Sequence, residues 1–194
     1  MKKIIPQTLL TLPILATGLQ AQEKQTPPNL VFIMADQYRG DAMGCIGKEP
    51  VQTPSLDQLA AESINFTNAV SSYPVSSPAR GMLMTGMYPI SSKVTGNCNS
   101  ATAPYGVELP QDARCWSDVL KDQGYNTGYI GKWHLDAPYK PYVDTYNNRG
   151  KVAWNEWCPP ERRHGFEHWI AYGTYDYHLK PMYWNTTAPR DSFY

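Results

Sequence analysis

A serine, a proline and an arginine stand at the start of a short predicted helix, where they could hold an anion. The run Ser76-Ser77-Pro78-Ala79-Arg80 has Pro at a position suited to the first helical residue and a serine before it that can cap. Gly86 predicts the end of the helix. Free amides at the start of a helix attract anions, and the Arg80 guanidinium matches a tetrahedral oxyanion.

The apolar residues of this helix predict that it is buried. Ala79, Met82 and Leu83 recur with i, i+3, i+4 spacing and would form one apolar face. Ser76 would then lie at the mouth of a short buried helix. These residues alone leave open an ordinary helix start with a surface Arg80.

A lysine and a histidine two residues apart form the second candidate. Lys132-Trp133-His134 follows a predicted strand at 126–131. On an extended chain, residues two apart share a face, so Lys132 and His134 are predicted to point the same way and Trp133 the other. A cation beside an imidazole can hold an oxyanion and move a proton. A solvated lysine next to a structural histidine is the alternative.

A carboxylate and an amide follow the first apolar run of the chain. Asn29–Ala35 predicts a central strand buried on both faces, and it ends on Asp36 and Gln37. Ligands collect at the carboxyl ends of strands in open α/β sheets, and oxygen donors suit Ca²⁺. Both side chains can face one ion only where the backbone turns. The alternative is that Asp36 caps the next loop.

Other stretches are predicted to position these residues. A helix from Pro54 to about Ser63, capped by Thr53, would bury an apolar face of Leu56, Leu59 and Ala60. The remaining stretches are an alternating strand at 64–70, a loop near the pocket rim at 91–111 and a helix at 113–123.

Composition excludes several classes of function. The formal net charge is zero, and no basic stripe indicates binding to nucleic acid or to an anionic membrane. The four cysteines, Cys45, Cys98, Cys115 and Cys158, contain no C-x-x-C pair, so a zinc site is not indicated. An oxidising compartment permits a disulfide, and Cys98–Cys115 is one candidate pairing among several.

The N-terminus predicts export. Residues 1–21 have a lysine pair, a mostly apolar stretch and a small residue at the cut, which is the pattern of a signal peptide. A polar linker follows at 22–28, and 29–194 would form the domain. We expect a periplasmic or secreted protein with no stable membrane insertion after signal removal.

Two segments resemble the signatures of one enzyme family. Ser76-x-Pro78-Ala79-Arg80, with Leu83, Thr85 and Gly86, is similar to the signature of the formylglycine-dependent sulfatases. Gly131-Lys132-Trp133-His134-Leu135 resembles the second signature of that family, in the right order. The resemblance implies an α/β, alkaline-phosphatase-like fold with a mostly parallel mixed sheet flanked by helices. It also implies that a serine-type radical maturase oxidises Ser76 to formylglycine before export.

The resemblance further implies roles for individual residues. Those implied to be catalytic are Ser76, Arg80, Lys132 and His134. Those implied to bind a divalent metal, Ca²⁺ or alternatively Mg²⁺, are Asp36, Gln37 and Ser76. Gln37 departs from the commoner Asp of the family, and one fewer negative charge is expected to weaken the hold on the ion.

The implied reaction is hydrolysis of a sulfate ester, carried by a sulfated carbohydrate or another sulfate ester substrate. The segment at 162–169 also resembles a sulfatase segment, and His178 is a further residue that could reach the substrate. The resemblance covers only the N-terminal part of the family's domain, so we expect a truncated and poorly active chain. The alternatives are a phosphatase or phosphonate-ester hydrolase of the same superfamily, and a non-catalytic remnant that binds sulfated glycans.

Overall fold

The computed structural model describes residues 27–174, 179 and 181–194. The predicted signal peptide at 1–21, most of the predicted linker and His178 lie outside these residues, so the predictions made for them stay predictions. The chain divides into two units, one ending at Gln37 and the other comprising Tyr38–Tyr194.

The first unit differs from its predicted secondary structure. Asn29–Ala35 forms no strand, and its apolar side chains are exposed, Val31 by 82% and Ile33 by 86%. The prediction of a buried central strand is therefore wrong for this structure. An apolar run becomes a central strand only where neighbouring strands and covering helices accept it. The backbone turns at Asp36 and Gln37, and Gln37 has a φ of 51°.

The second unit contains four helices among the described residues. They are α1 (Pro54–Ala61), α2 (Ser76–Thr85), α3 (Pro89–Ser92) and α4 (Trp116–Asp122). Helices α1 and α4 confirm the predicted segments: α1 starts at Pro54 as predicted, and the other three ends lie one to three residues inside the predicted bounds. Single 3₁₀ turns lie at Gly44–Ile46, Ala103–Tyr105, Tyr146–Asn148 and Pro160–Arg162.

Helix α1 does not bury the face that its sequence predicts. It has no buried residue, and Leu56 and Leu59 are 42% and 59% exposed. The stretch after it, 64–70, is not a strand, and Phe66 and Val70 are exposed. Both predictions relied on the spacing of apolar residues. Such spacing predicts an apolar face, but the face is buried only where another helix or strand packs against it.

The strands form one small mixed sheet. They are β1 (Gly128–Lys132), β2 (His168–Tyr172) and β3 (Trp184–Asn185), in the order β1-β2-β3. Strands β1 and β2 are parallel, whereas β2 and β3 are antiparallel. Two neighbouring parallel strands must be joined by a long crossover connection, and this arrangement is typical of an α/β fold. The small mixed sheet and the presence of helices agree with the predicted α/β fold class.

One face of the sheet packs on the main core. The rings of Tyr129 and Trp169 stack with centroids 5.2 Å apart. On the other face, the paired residues Ile130 and Ile170 are 81% and 43% exposed. The buried residues of the core cluster are Met84, Val94, Cys98, Leu109, Cys115, Trp133, Leu135, Cys158, Phe166, Trp169 and Ala171.

All four cysteines are free thiols. Cys45 is exposed, and the other three are buried. The candidate pairing Cys98–Cys115 is therefore wrong, although both residues belong to the same core cluster. Burial raises the pKa of the Cys98 and Cys115 thiols to about 12 and also raises the pKa of Cys158. Across the described ranges, no helix is long and apolar enough to cross a membrane.

Candidate functional site

Helix α2 starts two residues earlier than its proline predicts. Val75 is the N-cap, Ser76 is the first helical residue and Pro78 is the third. The missing N–H of Pro78 costs no hydrogen bond there, because the first four amides of a helix have no partner within it. The first bond of the helix runs from Ala79 N to Val75 O at 2.8 Å. Gly86 ends the helix as predicted, with a φ of 70°.

The buried face of α2 is more polar than predicted. Its buried residues are Ser77, Pro78, Arg80, Gly81 and Met84, whereas the predicted face of Ala79, Met82 and Leu83 is only half-buried. Hydrophobic spacing could not reveal this face because hydrogen bonds allow its serine and arginine to be buried. Ser76, half-buried, lies at the start of the helix, as expected.

His134 lies against the start of α2. Its Nδ1 is 3.0 Å from Ser76 Oγ, and its Nε2 is 3.1 Å from the carbonyl oxygen of Cys98. The side chain is almost fully buried. Its backbone has a φ of 54°, which non-glycine residues rarely adopt. Such an outlier is held by surrounding contacts and often occurs at functional positions.

The segment from Lys132 to His134 is only partly as predicted. Trp133 points into the core, as the alternation requires, and its indole N–H donates to Asp136 Oδ2 at 2.9 Å. Strand β1 ends at Lys132, however. His134 therefore reaches Ser76 through its left-handed backbone, and not by continuing the extended alternation.

The contacts of His134 define its chemistry. A carbonyl oxygen only accepts, so Nε2 must carry a hydrogen that it donates to Cys98 O. A neutral imidazole then has its lone pair on Nδ1, where it can accept the hydrogen of the Ser76 hydroxyl. This tautomer is assigned from the bonding pattern. The pair is thus a hydroxyl facing a base, an arrangement that suits proton transfer.

Arg80 is held at the end of strand β1 by hydrogen bonds. Its Nη1 donates to Lys132 O at 2.5 Å and to the Tyr129 hydroxyl at 3.3 Å. The Tyr129 hydroxyl donates to the same carbonyl oxygen of Lys132. Arg80 is 6% exposed, so its permanent charge lies in a largely desolvated place where it acts more strongly on an anion.

Four predicted site residues therefore share one corner of the second unit: Ser76 and Arg80 on α2, and Lys132 and His134 at the end of β1. The two predicted metal ligands of the first unit, Asp36 and Gln37, are neighbours at its turn. Their carboxylate and amide oxygens fit a hard divalent cation. Their role as ligands stays a prediction.

Three further residues contact this corner and were not predicted to belong to the site. Ser77 Oγ accepts the Cys98 N–H at 3.0 Å, and Asn97 Oδ1 accepts the Ser77 N–H at 3.2 Å. The sequence indicated only that the loop containing 97 and 98 lies near the pocket rim. No residue pattern reveals that a backbone carbonyl will orient a histidine.

A second group of potential metal-ligating side chains makes hydrogen bonds that stabilise the fold. Ligand atoms of Cys115, Asp118 and His164 lie within 4.8 Å of one another. Cys115 and Asp118 form the capping box of α4, while His164 Nδ1 donates to Ala113 O at 3.1 Å. Burial lowers the pKa of His164, which favours its neutral form. These bonds dock the segment at 162–169 onto the start of α4.

A charged pocket of about 300 Å³ lies beside the segment that follows His134. Arg162 pairs with Asp136 at 2.5 Å and with Glu108 at 3.3 Å, and Arg190 pairs with Glu156 at 3.3 Å. Burial raises the pKa of Glu156, while the nearby arginine opposes that shift. The arginine and carboxylate charges that line this pocket thus neutralise one another.

Comparisons with known proteins bear on this geometry. A family model described as Sulfatase matches residues 28–190. The chain is 42% identical over 189 residues to an endo-4-O-sulfatase of Bacteroides thetaiotaomicron, covering 88% of this chain and 36% of that protein. It is 39% identical over 183 residues to an ulvan-active sulfatase of Formosa agariphila, covering 94% of this chain and 32% of that protein.

A solved structure is more similar still. The crystal structure of yidJ from Bacteroides fragilis matches with a TM-score of 0.86 and 92% sequence identity, over 91% of this chain and 38% of that one. The chain thus spans about a third of the length of the relatives it matches. These likenesses confirm the predicted fold class, an α/β fold of the alkaline-phosphatase-like type, for the part that this chain contains.

Proposed function

Because this chain belongs to the sulfatase family, we propose that it carries the sulfate-binding corner of an enzyme that hydrolyses sulfate esters of glycans. The observation that carries the proposal is the contact of 3.0 Å between Ser76 Oγ and His134 Nδ1. It joins two segments 58 residues apart in sequence, each of which contains one of the two signature motifs. Relatives named endo-4-O-sulfatase, ulvan-active sulfatase and N-acetylgalactosamine-6-O-sulfatase support a glycan substrate.

Ser76 is the proposed site of oxidation to formylglycine. Sulfatases generally use this residue together with a divalent metal. A serine-type radical maturase would remove two hydrogens from Ser76. This step would precede export, which the predicted signal peptide would direct to the periplasm or the exterior. The hydrated aldehyde supplies two hydroxyls on one carbon, one to attack sulfur and one whose deprotonation releases sulfate.

The other residues of the corner handle charge and protons. Arg80, buried and held at the strand end, would neutralise charge on the sulfate oxygens, and Lys132 would assist it. His134, with its lone pair on Nδ1, would accept the proton of the hydroxyl group at position 76. The ester alcohol is the leaving group of the first step and sulfate that of the second.

Asp36, Gln37 and the oxidised Ser76 are the proposed metal ligands. Oxygen donors at a turn suit Ca²⁺, and Mg²⁺ would require a stricter octahedral geometry. A bound divalent cation supplies polarisation of the sulfate oxygens. With an amide in place of a second carboxylate, we expect weaker metal binding than at a site with two aspartates.

The experiment joins mass spectrometry to an activity assay. The segment is produced both as the 194-residue chain and within a polypeptide of its relatives' length, each with and without a serine-type maturase. We expect the Ser76 peptide to lose two hydrogens only with the maturase, and aryl sulfate hydrolysis by the longer protein to require that loss. Hydrolysis that is equal without the modification would overturn the proposal. A preference for aryl phosphate would instead favour a phosphatase.

A further inference from the structure

Two hydrogen bonds in opposite directions tie the start of α2 to the loop that carries Cys98. Asn97 Oδ1 accepts the N–H of Ser77 at 3.2 Å, and Ser77 Oγ accepts the N–H of Cys98 at 3.0 Å. Ser77 and Cys98 are fully buried. We call this pair of bonds the Ser77–Asn97 clamp. Buried bonds of this kind are costly to leave unmade, so the clamp holds the peptide of Cys98 in one orientation.

The same peptide contacts the histidine of the site. The carbonyl of Cys98 accepts the hydrogen on His134 Nε2 at 3.1 Å, while Nδ1 faces Ser76 Oγ at 3.0 Å. Two adjacent serines therefore act on one imidazole from opposite sides: Ser76 directly, and Ser77 through the Cys98 peptide. The orientation of that peptide decides which ring nitrogen carries the hydrogen.

We propose that Ser77 and Asn97 are positioning residues that fix His134 in its Nε2–H tautomer, so that the Nδ1 lone pair faces position 76. This inference rests on the proposed function for its importance to turnover, but the tautomer itself is a property of this chain. Partners that orient a functional imidazole through its second nitrogen are known to set its tautomer and basicity. Here a buried peptide group has that role, and a side-chain clamp holds the peptide group.

The first test measures the tautomer directly. In the ¹⁵N-histidine-labelled 194-residue chain, long-range ¹H–¹⁵N correlations distinguish a protonated Nε2 from a protonated Nδ1. We expect His134 to be protonated on Nε2 in the unaltered chain and in Ser76→Ala. We expect a mixture of tautomers in Ser77→Ala and in Asn97→Ala. Asn97→Asp is the matched control: it retains the accepting Oδ1, so His134 should keep the single Nε2–H tautomer.

The second test measures turnover, in the maturase-treated protein of its relatives' length. Removing the partner that orients a metal-ligating histidine costs about 10–100-fold in metal affinity or activity, and we expect a loss of similar size here. We expect Ser77→Ala and Asn97→Ala to lower kcat by that amount with little change in KM, because neither side chain is assigned a contact with the substrate. Asn97→Asp should keep most of the activity.

The outcomes separate this inference from the proposed function. An Nδ1-protonated His134 in the unaltered chain, or an unchanged tautomer in both Ser77→Ala and Asn97→Ala, overturns the clamp. If Ser77→Ala does not fold, the Asn97→Ala and Asn97→Asp pair decides. If the tautomer shifts as expected but Ser76→Ala keeps full turnover, the clamp stands and the proposed function fails.

Discussion

Helices α1 and α2 begin with similar residues and use them in opposite ways. At α1, Thr53 Oγ1 accepts from Gly44 N and donates to Asp57 Oδ1, both at 2.8 Å. These partners lie nine and four residues away. At α2, Ser76 and Ser77 reach partners 58 and 21 residues away. The first hydroxyl closes a local loop, whereas the other two join distant parts of the chain.

The two helices also differ in burial, and the helix with long-range hydrogen bonds is the more buried one. No residue of α1 is buried, while five residues of α2 are. The hydroxyl at a helix start can thus form local hydrogen bonds or help to assemble a site, and the hydroxyl residue type alone does not distinguish these uses. What distinguishes them is whether the rest of the chain folds onto the helix.

The largest expected difference is catalytic. In a maturase-treated protein of its relatives' length, Ser76→Ala should lower turnover at least about a thousandfold, because it removes the group that becomes the nucleophile. Thr53→Ala should leave turnover within about twofold, since its bonds are local. Steady-state hydrolysis of an aryl sulfate measures both. Comparable losses in the two variants would break the comparison between the helices.

The next difference concerns packing. Met84 on α2 is 3% exposed and belongs to the core cluster, whereas Leu59 on α1 is 59% exposed. Met84→Ala should lower the free energy of unfolding by about 2–5 kcal/mol, whereas Leu59→Ala should change it by no more than about 0.5 kcal/mol. Urea unfolding followed by circular dichroism measures both variants. A large effect at Leu59 would mean that α1 is covered in solution.

A third difference appears at high pH. The folded chain raises the pKa of Cys98, next to α2, to about 12. An unfolded thiol titrates near pH 8.5, so it binds fewer protons than the folded one above that pH, and stability must fall as pH rises toward 12. The loss should reach about 1–2 kcal/mol per buried thiol by about pH 10.

Two variants isolate this pH effect. Cys98→Ala should flatten the fall of the unfolding free energy between about pH 9 and about pH 10.5, because one titrating thiol is gone. Cys45→Ala, at an exposed cysteine near α1, should leave the slope unchanged. Urea titrations across this pH range give the slopes. Equal slopes in all three proteins would show that burial of the Cys98 thiol does not contribute.

The smallest expected effect is at the cap of α1. Thr53→Ala should cost about 1 kcal/mol, since it removes the bonds to Gly44 and Asp57. Thr53→Ser retains the hydroxyl and is the matched control. Hydrogen exchange should show faster exchange limited to α1 and the 3₁₀ turn before it. Faster exchange in α2 would mean that the two helix starts are coupled.

The features that the sequence predicted well are set by local chemistry. Gly86 ends α2 because the chain there needs a positive φ, and a glycine supplies it without strain. The strand before Lys132 and the helix around Trp116 have local patterns that the fold keeps. The pairing of Ser76 with His134 is different, because it came from the resemblance of two motifs and not from local chemistry. The structure places the two side chains 3.0 Å apart, and their catalytic roles stay predictions.

The predictions that failed concern features that depend on partners distant in sequence. Asn29–Ala35 and the stretch 64–70 have strand patterns but are not strands here, since pairing must come from other segments. Likewise, the buried face of α2 includes Ser77 and Arg80, whose burial depends on bonds to Cys98 and Lys132. Hydropathy does not encode such bonds.

The left-handed backbone of His134 limits which amino acids can substitute for it without a folding defect. At a φ of 54°, asparagine and glycine are tolerated, whereas valine, isoleucine and threonine are strongly disfavoured by their branched Cβ. A screen of all twenty residues at this position would therefore mix two causes of failure. Asparagine is the informative exchange, because it suits the backbone and lacks the imidazole.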